Sequence, residues 1–336
     1  MSPIDLVYCW CDDADPKWRA KRMATAEKFG MATDSVHNGA CRYRGGDMLR
    51  YSLRSAERGV PWVRTIFIVL DDDQTIPDWP ELKNPKIRFV RHSEIMPAEI
   101  LPCFASDVIE HHLARIPGLA DRFLYSNDDT LFWGSPIPES FFFARDGYPY
   151  FRYGMRRKPS ANGVEQDYRC RLNAADELLK TRFGLRPGPF SMIGRLPHHN
   201  VDAYCRQDML DCYAEFRAEI ESHLAFPFRN PKLIQRAVYA GYALAKGHGH
   251  FRRATFNTNC VSAWWRRLLP AWADSLQIVP GTWRLGLSAI ERFKPMLVCF
   301  NDGPATSVED FTWLRAYLSE RFGVPVLPAE KEMGKV

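Results

Sequence analysis

The sequence predicts an α/β layered protein with a largely parallel sheet and a helical C-terminal portion. Three observations carry that prediction. Four short runs of β-branched and aromatic residues are bounded by polar turns, helical periodicities lie between some of them, and from about residue 170 the pattern turns mostly helical.

The four runs, Ile4–Cys9, Thr65–Leu70, Ile87–Val90 and Arg122–Ser126, read as buried strands. Asp47 is placed to cap a helix whose Leu49, Leu53 and Ala56 form an apolar stripe. Ser106 is placed to cap a second, with Ile109, His112, Leu113 and Ile116 inward until Pro117-Gly118 stops it. Tyr153–Tyr168 is polar and rich in Arg and Lys, and reads as a mobile loop over a site. Ala175–Phe183 and Asp202–Leu224 read as helices. A last helix starts at Ser307, buries Phe311, Leu314, Leu318 and Phe322, and ends at Gly323 and Pro325.

A chain of 336 residues accommodates two domains or one elaborated α/β domain. Hydrophobic residues at 46% and aromatics at 13% suffice for a well-buried core. The net charge of +5 comes without a concentrated basic stripe, which argues against a nucleic-acid partner. A modest arginine surplus does suit phosphate-bearing substrates, because guanidinium pairs bidentately with phosphate oxygens. The nine cysteines include no CxxC pair. Cys9 and Cys11 alternate along a strand and face one way, but a zinc site would need a second pair at ligand spacing. Reduced, buried thiols in the cytosol are the expectation. The amino terminus enters a strand without a basic-then-apolar leader, and no apolar stretch approaches ~18 residues, so no membrane span is expected.

The strongest local signal is Phe123-Leu124-Tyr125-Ser126-Asn127-Asp128-Asp129, an apolar strand ending in an amide and two carboxylates. Ligands in open α/β sheets sit beyond the carboxyl ends of strands. Two carboxylates ~4 Å apart repel by about 4 kcal/mol at an effective dielectric near 20. A divalent cation removes that cost, and hard oxygen ligands suit Mg²⁺ or Mn²⁺. Neighbouring strand residues face opposite ways, so Asp128 and Asp129 reach one ion only if the strand has already turned. The plainer alternative is an Asx turn. A second such end is Met296–Phe300 followed by Asn301-Asp302-Gly303, and a third acidic group, Asp12, Asp13 and Asp15, follows the first strand. Three such ends fit one concave acidic site better than three unrelated turns. Arg50, Arg54 and Arg58 recur every four residues as either a phosphate-facing row or a solvated helix face. In the second half a histidine of the pair His198-His199 is a candidate general base and Arg229 a candidate phosphate ligand, each with a structural alternative.

Taken together, these segments resemble the Stealth family, which includes the α/β precursor of lysosomal-enzyme N-acetylglucosamine-1-phosphotransferase and bacterial capsule polysaccharide phosphotransferases. The resemblance runs through four blocks in order. The first is Ile4–Asp12 with Asp15-Pro16. The second includes Leu49–Ser55, Pro61–Arg64, Ile76–Trp79, Leu101-Pro102, Ile109-Glu110, Arg115–Leu119 and Asn127-Asp128-Asp129. The third rests on Pro197, His199 and Phe228-Arg229, and the fourth on Cys299–Asp302 with the helix that follows.

The resemblance implies a Rossmann-like, glycosyltransferase-A-like fold divided into an α/β nucleotide-sugar core (1–150), a mostly helical acceptor or lid region (151–290), and a closing strand and helix (291–336). It implies transfer of a hexose- or N-acetylhexosamine-1-phosphate from a UDP-sugar to an oligo- or polysaccharide with Mg²⁺ or Mn²⁺; the expected lack of a leader and of spanning helices places the reaction in the cytoplasm or at the inner face of the plasma membrane. It places Asp128, Asp129, Asn301 and Asp302 around the metal, and Asp129, His199 and Arg229 in catalysis. It places Asp12, Arg50, Arg54, Glu110 and Asn127 against substrate. Departures fall around the implied donor pocket. Asp13 stands where the family usually has glycine, Gly45-Gly46 where it has Asp-Asn, and Met48 where it has Glu. They bear on the identity of the sugar more than on the reaction class. Two rival functions share these residues: a metal-dependent glycosyltransferase releasing UDP, and a non-catalytic carbohydrate-binding protein with a degenerate site.

Overall fold

The computed structural model describes residues 2–31, 39–134, 136–157, 164–198, 201–224, 226–228, 235–254 and 273–325. In chain order the strands are β1 (Ile4–Cys9), β2 (Ile66–Leu70), β3 (Ile87–Arg91), β4 (Arg122–Ser126), β5 (Thr130–Phe132), β6 (Tyr150–Arg156), β7 (Arg195–Pro197), β8 (Asp202–Cys205), β9 (His250–Arg253), β10 (Ser275–Ile278) and β11 (Leu297–Phe300).

They form three sheets. The main sheet has the order β3-β2-β1-β4-β8, with β4–β8 antiparallel and every other pairing parallel. A second sheet has the order β10-β11-β5, and a third β7-β6-β9. The largely parallel α/β expectation is met. The four predicted strands agree with β1 to β4 to within a residue at each end, because continuous apolar runs suit strands covered on both faces. Alternation sends Val7, Phe67, Val69, Phe123 and Tyr125 into one core, and Ile4, Leu6, Tyr8, Ile66, Ile68 and Leu124 into the other.

Helix Met48–Gly59 covers the second face and ties the main sheet to β5. The Ser52 hydroxyl donates to the Thr130 carbonyl at 2.6 Å and lies 2.9 Å from the Tyr8 hydroxyl, while the Phe132 amide donates to Ser55 Oγ at 2.9 Å. Gly59 is required there: a Cβ would lie 2.5 Å from Phe132 Cβ. The last helix, Val308–Phe322, has the predicted Ser307 cap, the predicted buried stripe and left-handed Gly323 at its end.

Several expectations differ. Asp47 precedes its helix without a side-chain cap bond, because Arg315 holds both carboxylate oxygens at 2.6 and 2.8 Å. The helix expected from Ser106 stops at Glu110 and the backbone tightens into a 3₁₀ turn at Leu113–Arg115, although Ile109, His112, Leu113 and Ile116 are all buried as expected. Asp202–Cys205 is a strand on the edge of the main sheet, and helix begins only at Arg206. Much of Tyr153–Tyr168 is also ordered structure, with β6 running to Arg156 and a helix spanning Val164–Phe183; residues 158–163 lie outside the described residues. Among the described residues no helix is long and apolar enough to cross a membrane.

Candidate active site

Strands β1 and β4 run parallel with Tyr8 beside Ser126, so their carboxyl ends open at the same edge of the sheet. The chain turns at Asn127–Asp129, with the Thr130 amide donating to the Asn127 carbonyl at 3.2 Å, and enters β5. β5 pairs antiparallel with β11, and the Phe300 amide donates to the Asp129 carbonyl at 3.1 Å. This brings Asn301-Asp302 next to Asp129. Asn127, Asp128, Asp129, Asn301 and Asp302 therefore line one cleft of about 230 Å³, together with Trp10 and Cys11 from the end of β1. The turn also answers the strand-alternation problem, since both carboxylates leave the backbone after β4 has ended.

Electrostatics in this cleft are strained. Burial, then the neighbouring Asp129 charge, hold the Asp128 carboxyl well above the usual carboxylate range, against the pull of nearby backbone N–H groups. The Cys299 thiol donates to Asp129 Oδ2 at 3.4 Å, and burial with that carboxylate pushes the thiol far up. Among the described residues no three His, Cys, Asp or Glu side chains gather into a ready metal set. Two adjacent carboxylates still fit Mg²⁺ or Mn²⁺, because such ions commonly take one or two carboxylates and complete their shell with water and phosphate oxygens.

Asp302 is differently engaged. Arg44 grips it through Nε at 2.5 Å and Nη2 at 2.8 Å, and the same guanidinium donates to the Gly303 and Thr306 carbonyls. Asp302 thus lines the cleft while held in a bidentate ion pair. Asn301 is fixed through its backbone, its amide donating to the Ile278 carbonyl and its carbonyl accepting from Trp283 Nε1.

The residues expected at the donor are only partly brought together. Cys11 rather than Asp12 reaches the cleft surface, while Asp12 Oδ1 caps its own turn at the Ala14 amide. Arg50 is corrected outright: its side chain is 0% exposed, as is that of Glu81, which it meets at 2.9 Å. Arg54 pairs with Glu57 at the surface, and Arg58 donates to the Arg321 and Phe322 carbonyls, so the three arginines form no common phosphate-facing row. Glu110 is also corrected. It lies behind Tyr125, whose hydroxyl donates to it at 3.1 Å, and burial pushes its carboxyl up to about 7 despite the charge of Arg236. His199 and Arg229 lie outside the described residues.

The structure adds residues that the sequence did not single out. Arg42 and Arg44 line the cleft, directly ahead of the helix whose arginines were expected there. Trp18, Tyr43 and Phe104 make an aromatic wall, with Phe104 stacked on Phe228 at 5.4 Å. His92 is buried at the cleft, held neutral by that burial at about 4. The one sequence signal for these was the run Cys41-Arg42-Tyr43-Arg44, basic and aromatic by turns just before the capped helix. The departures at 45 and 46 also gain a reason. A Cβ on Gly46 would lie 2.7 Å from the Cys11 carbonyl, and Gly45 has φ +86° against Phe311.

Fold and cleft define an α/β protein with an acidic site at converging strand ends, the edge at which ligands of open α/β sheets lie. Residues 42–151 match the profile of Stealth protein CR2, conserved region 2. Over those residues the chain carries conserved region 2 of the Stealth family. It is 41% identical over 245 residues to capsular polysaccharide phosphotransferase LcbA of Aeromonas hydrophila, covering 70% of this chain and 64% of that protein. It is 34% identical over 253 residues to exopolysaccharide phosphotransferase CpsY of Mycobacterium tuberculosis, covering 73% and 44%. Receptor polysaccharide phosphotransferase WefC of Streptococcus oralis is 27% identical over 268 residues, covering 74% and 80%. The chain spans only 19% of exopolysaccharide phosphotransferase SCO2592 of Streptomyces coelicolor, at 38% identity over 54% of its own length. Among solved structures, galactosyltransferase LgtC in complex with donor and acceptor sugar analogues aligns over 99% of this chain and 100% of its own, with a TM-score of 0.45 and 14% identity.

Proposed function

We propose that this chain transfers a hexose- or N-acetylhexosamine-1-phosphate from a UDP-sugar to a carbohydrate hydroxyl in capsular or exopolysaccharide synthesis, releasing UMP. The observation that supports it most is the meeting of the β4 and β11 ends in one cleft, which sets Asp128 and Asp129 side by side with Asn127 and Asn301. The relatives' printed names, phosphotransferases of capsular and extracellular polysaccharides, favour phosphoryl over glycosyl transfer.

In this reading the acceptor hydroxyl attacks the phosphorus attached to the sugar. A new P–O bond forms to the acceptor, the bond to the bridging diphosphate oxygen breaks, and UMP carries away the electron pair. Asp128 and Asp129 are the residues that would hold Mg²⁺ or Mn²⁺. When bound, the cation supplies neutralisation of diphosphate charge. His199 takes the acceptor proton and Arg229 pairs with phosphate oxygens, while the aromatic wall offers a stacking surface for a base or sugar ring. Positioning supplies most of the acceleration, as in phosphoryl transfer generally.

The test is to identify the nucleotide released from a panel of UDP-sugars with Mg²⁺ or Mn²⁺ and an oligosaccharide acceptor. UMP with a phosphodiester-linked product supports the proposal. UDP would make the chain a glycosyltransferase, and no donor turnover with any sugar would leave a binding protein.

A further inference from the structure

The third sheet carries an exposed feature, outside the acidic cleft's lining, that the transfer reaction does not use. Phe190 is 85% exposed and Met155 68% exposed, a large apolar surface to leave in water. One buried side chain links the two segments that carry them. The buried Arg195 side chain donates through Nη1 to the Gly154 carbonyl at 3.2 Å, through Nη2 to the Gly188 and Pro189 carbonyls at 3.4 Å, and through Nε to the Ser191 carbonyl at 3.0 Å. One guanidinium thus fastens the turn that carries Phe190 to the strand position preceding Met155.

The surroundings are basic. Arg156 sits opposite Arg195 in the β6–β7 register. Burial first, then the charges of Arg156 and Arg253, hold the Arg195 guanidinium below its ordinary range, which marks positive charge crowded on positive charge. Arg156, Arg186 and Arg253 are exposed, and among the described residues none of the three is in an ion pair.

We propose that this end of the third sheet, with Phe190 and Met155 at its tip and Arg156, Arg186 and Arg253 around it, docks the protein on an anionic lipid bilayer. An aromatic and a thioether side chain can enter the acyl boundary while arginines pair with lipid phosphates and keep their charge in the headgroup layer. A polysaccharide fits the feature less well. Sugar recognition needs a ring face set among hydrogen-bonding groups in a groove, whereas Phe190 projects from a turn beginning Gly188-Pro189.

The experiment is vesicle co-sedimentation of the whole chain, with phosphatidylcholine vesicles compared against vesicles that also contain phosphatidylglycerol. Binding is expected only to the anionic vesicles, weakening as salt rises. Arg156→Glu with Arg253→Glu, and separately Phe190→Ser with Met155→Ser, should each weaken it by roughly tenfold or more. Both pairs lie on the surface, and unchanged thermal unfolding verifies their fold. In the Phe190→Trp variant, the emission gain over wild type should shift to the blue on anionic vesicles. Failure of the wild type to bind anionic vesicles, or equal binding by the variants, overturns the proposal. So does binding of a soluble anionic polysaccharide that needs the arginines while vesicle binding ignores Phe190 and Met155.

Discussion

Replacing Arg50 distinguishes a fold residue from a donor ligand. Its guanidinium and the Glu81 carboxylate are both fully buried, with Nε 2.9 Å from Oε2. Nη2 also donates to the Pro325 carbonyl at 2.7 Å, and the guanidinium lies 5.8 Å from the Trp79 ring centre. Arg50→Met removes one charge and leaves the other without its closest partner in a low-dielectric interior. Breaking such a pair typically costs 3–5 kcal/mol, roughly, and much of that is the stranded charge. Arg54 Nε stands 3.9 Å from the other Glu81 oxygen and offers partial compensation, so we expect about 3 kcal/mol. Urea unfolding followed by tryptophan fluorescence measures it, and Arg50→Met with Glu81→Leu should recover most of the loss. A single variant within about 0.5 kcal/mol of wild type, with a raised KM for the UDP-sugar, would refute this reasoning and return Arg50 to the donor pocket.

Asp129→Ala should abolish UMP release while thermal unfolding shows an intact fold; near-normal turnover removes Asp129 from the mechanism. Glu110 makes stability depend on pH in a known direction. Its folded carboxyl titrates near 7 and its unfolded one near the ordinary 4.5, so the folded state holds the proton longer. That contribution is complete below about 4.5 and is lost as pH rises through about 7. Glu110→Gln should flatten thermal stability across that window, by an amount on the order of 2–3 kcal/mol. Gly46→Asn restores one residue of the family's usual pair, but its Cβ would crowd the Cys11 carbonyl. A loss of about 1–3 kcal/mol in the denaturation midpoint is expected, and an unchanged midpoint contradicts the close approach.

The sheet was legible because β1, β2 and β4 are apolar on both faces, so short continuous runs were enough to find them. The convergence of strand ends was legible in kind, since amide and carboxylate follow an apolar run at both Ser126 and Phe300. The identity of the charged partners was not. Helical spacing put Arg50, Arg54 and Arg58 on one face, yet tertiary packing gave Arg50 to Glu81, thirty-one positions away. Arg44 and Asp302 lie 258 positions apart, and no local pattern announces such a pair. β8 was misread because Asp-Ala-Tyr-Cys is short and leads straight into a helix, so its edge pairing with β4 leaves no periodicity of its own.

The turn Asn127–Asp129 is also the splice between two sheets. Its leading side is anchored in β4, which pairs with residues near the amino terminus, and its trailing side in β5, which among the described residues pairs with β11 from residues 297–300. A nascent chain can complete β1 to β4 long before β11 has left the ribosome. Until then β5 is held by Ser52 and Ser55 of the earlier helix, Asp129 lacks its backbone bond to Phe300, and Arg44 has no Asp302 to hold. Synthesis is therefore a timer for the site: its geometry is assembled last, when nearly all of the described chain has been made.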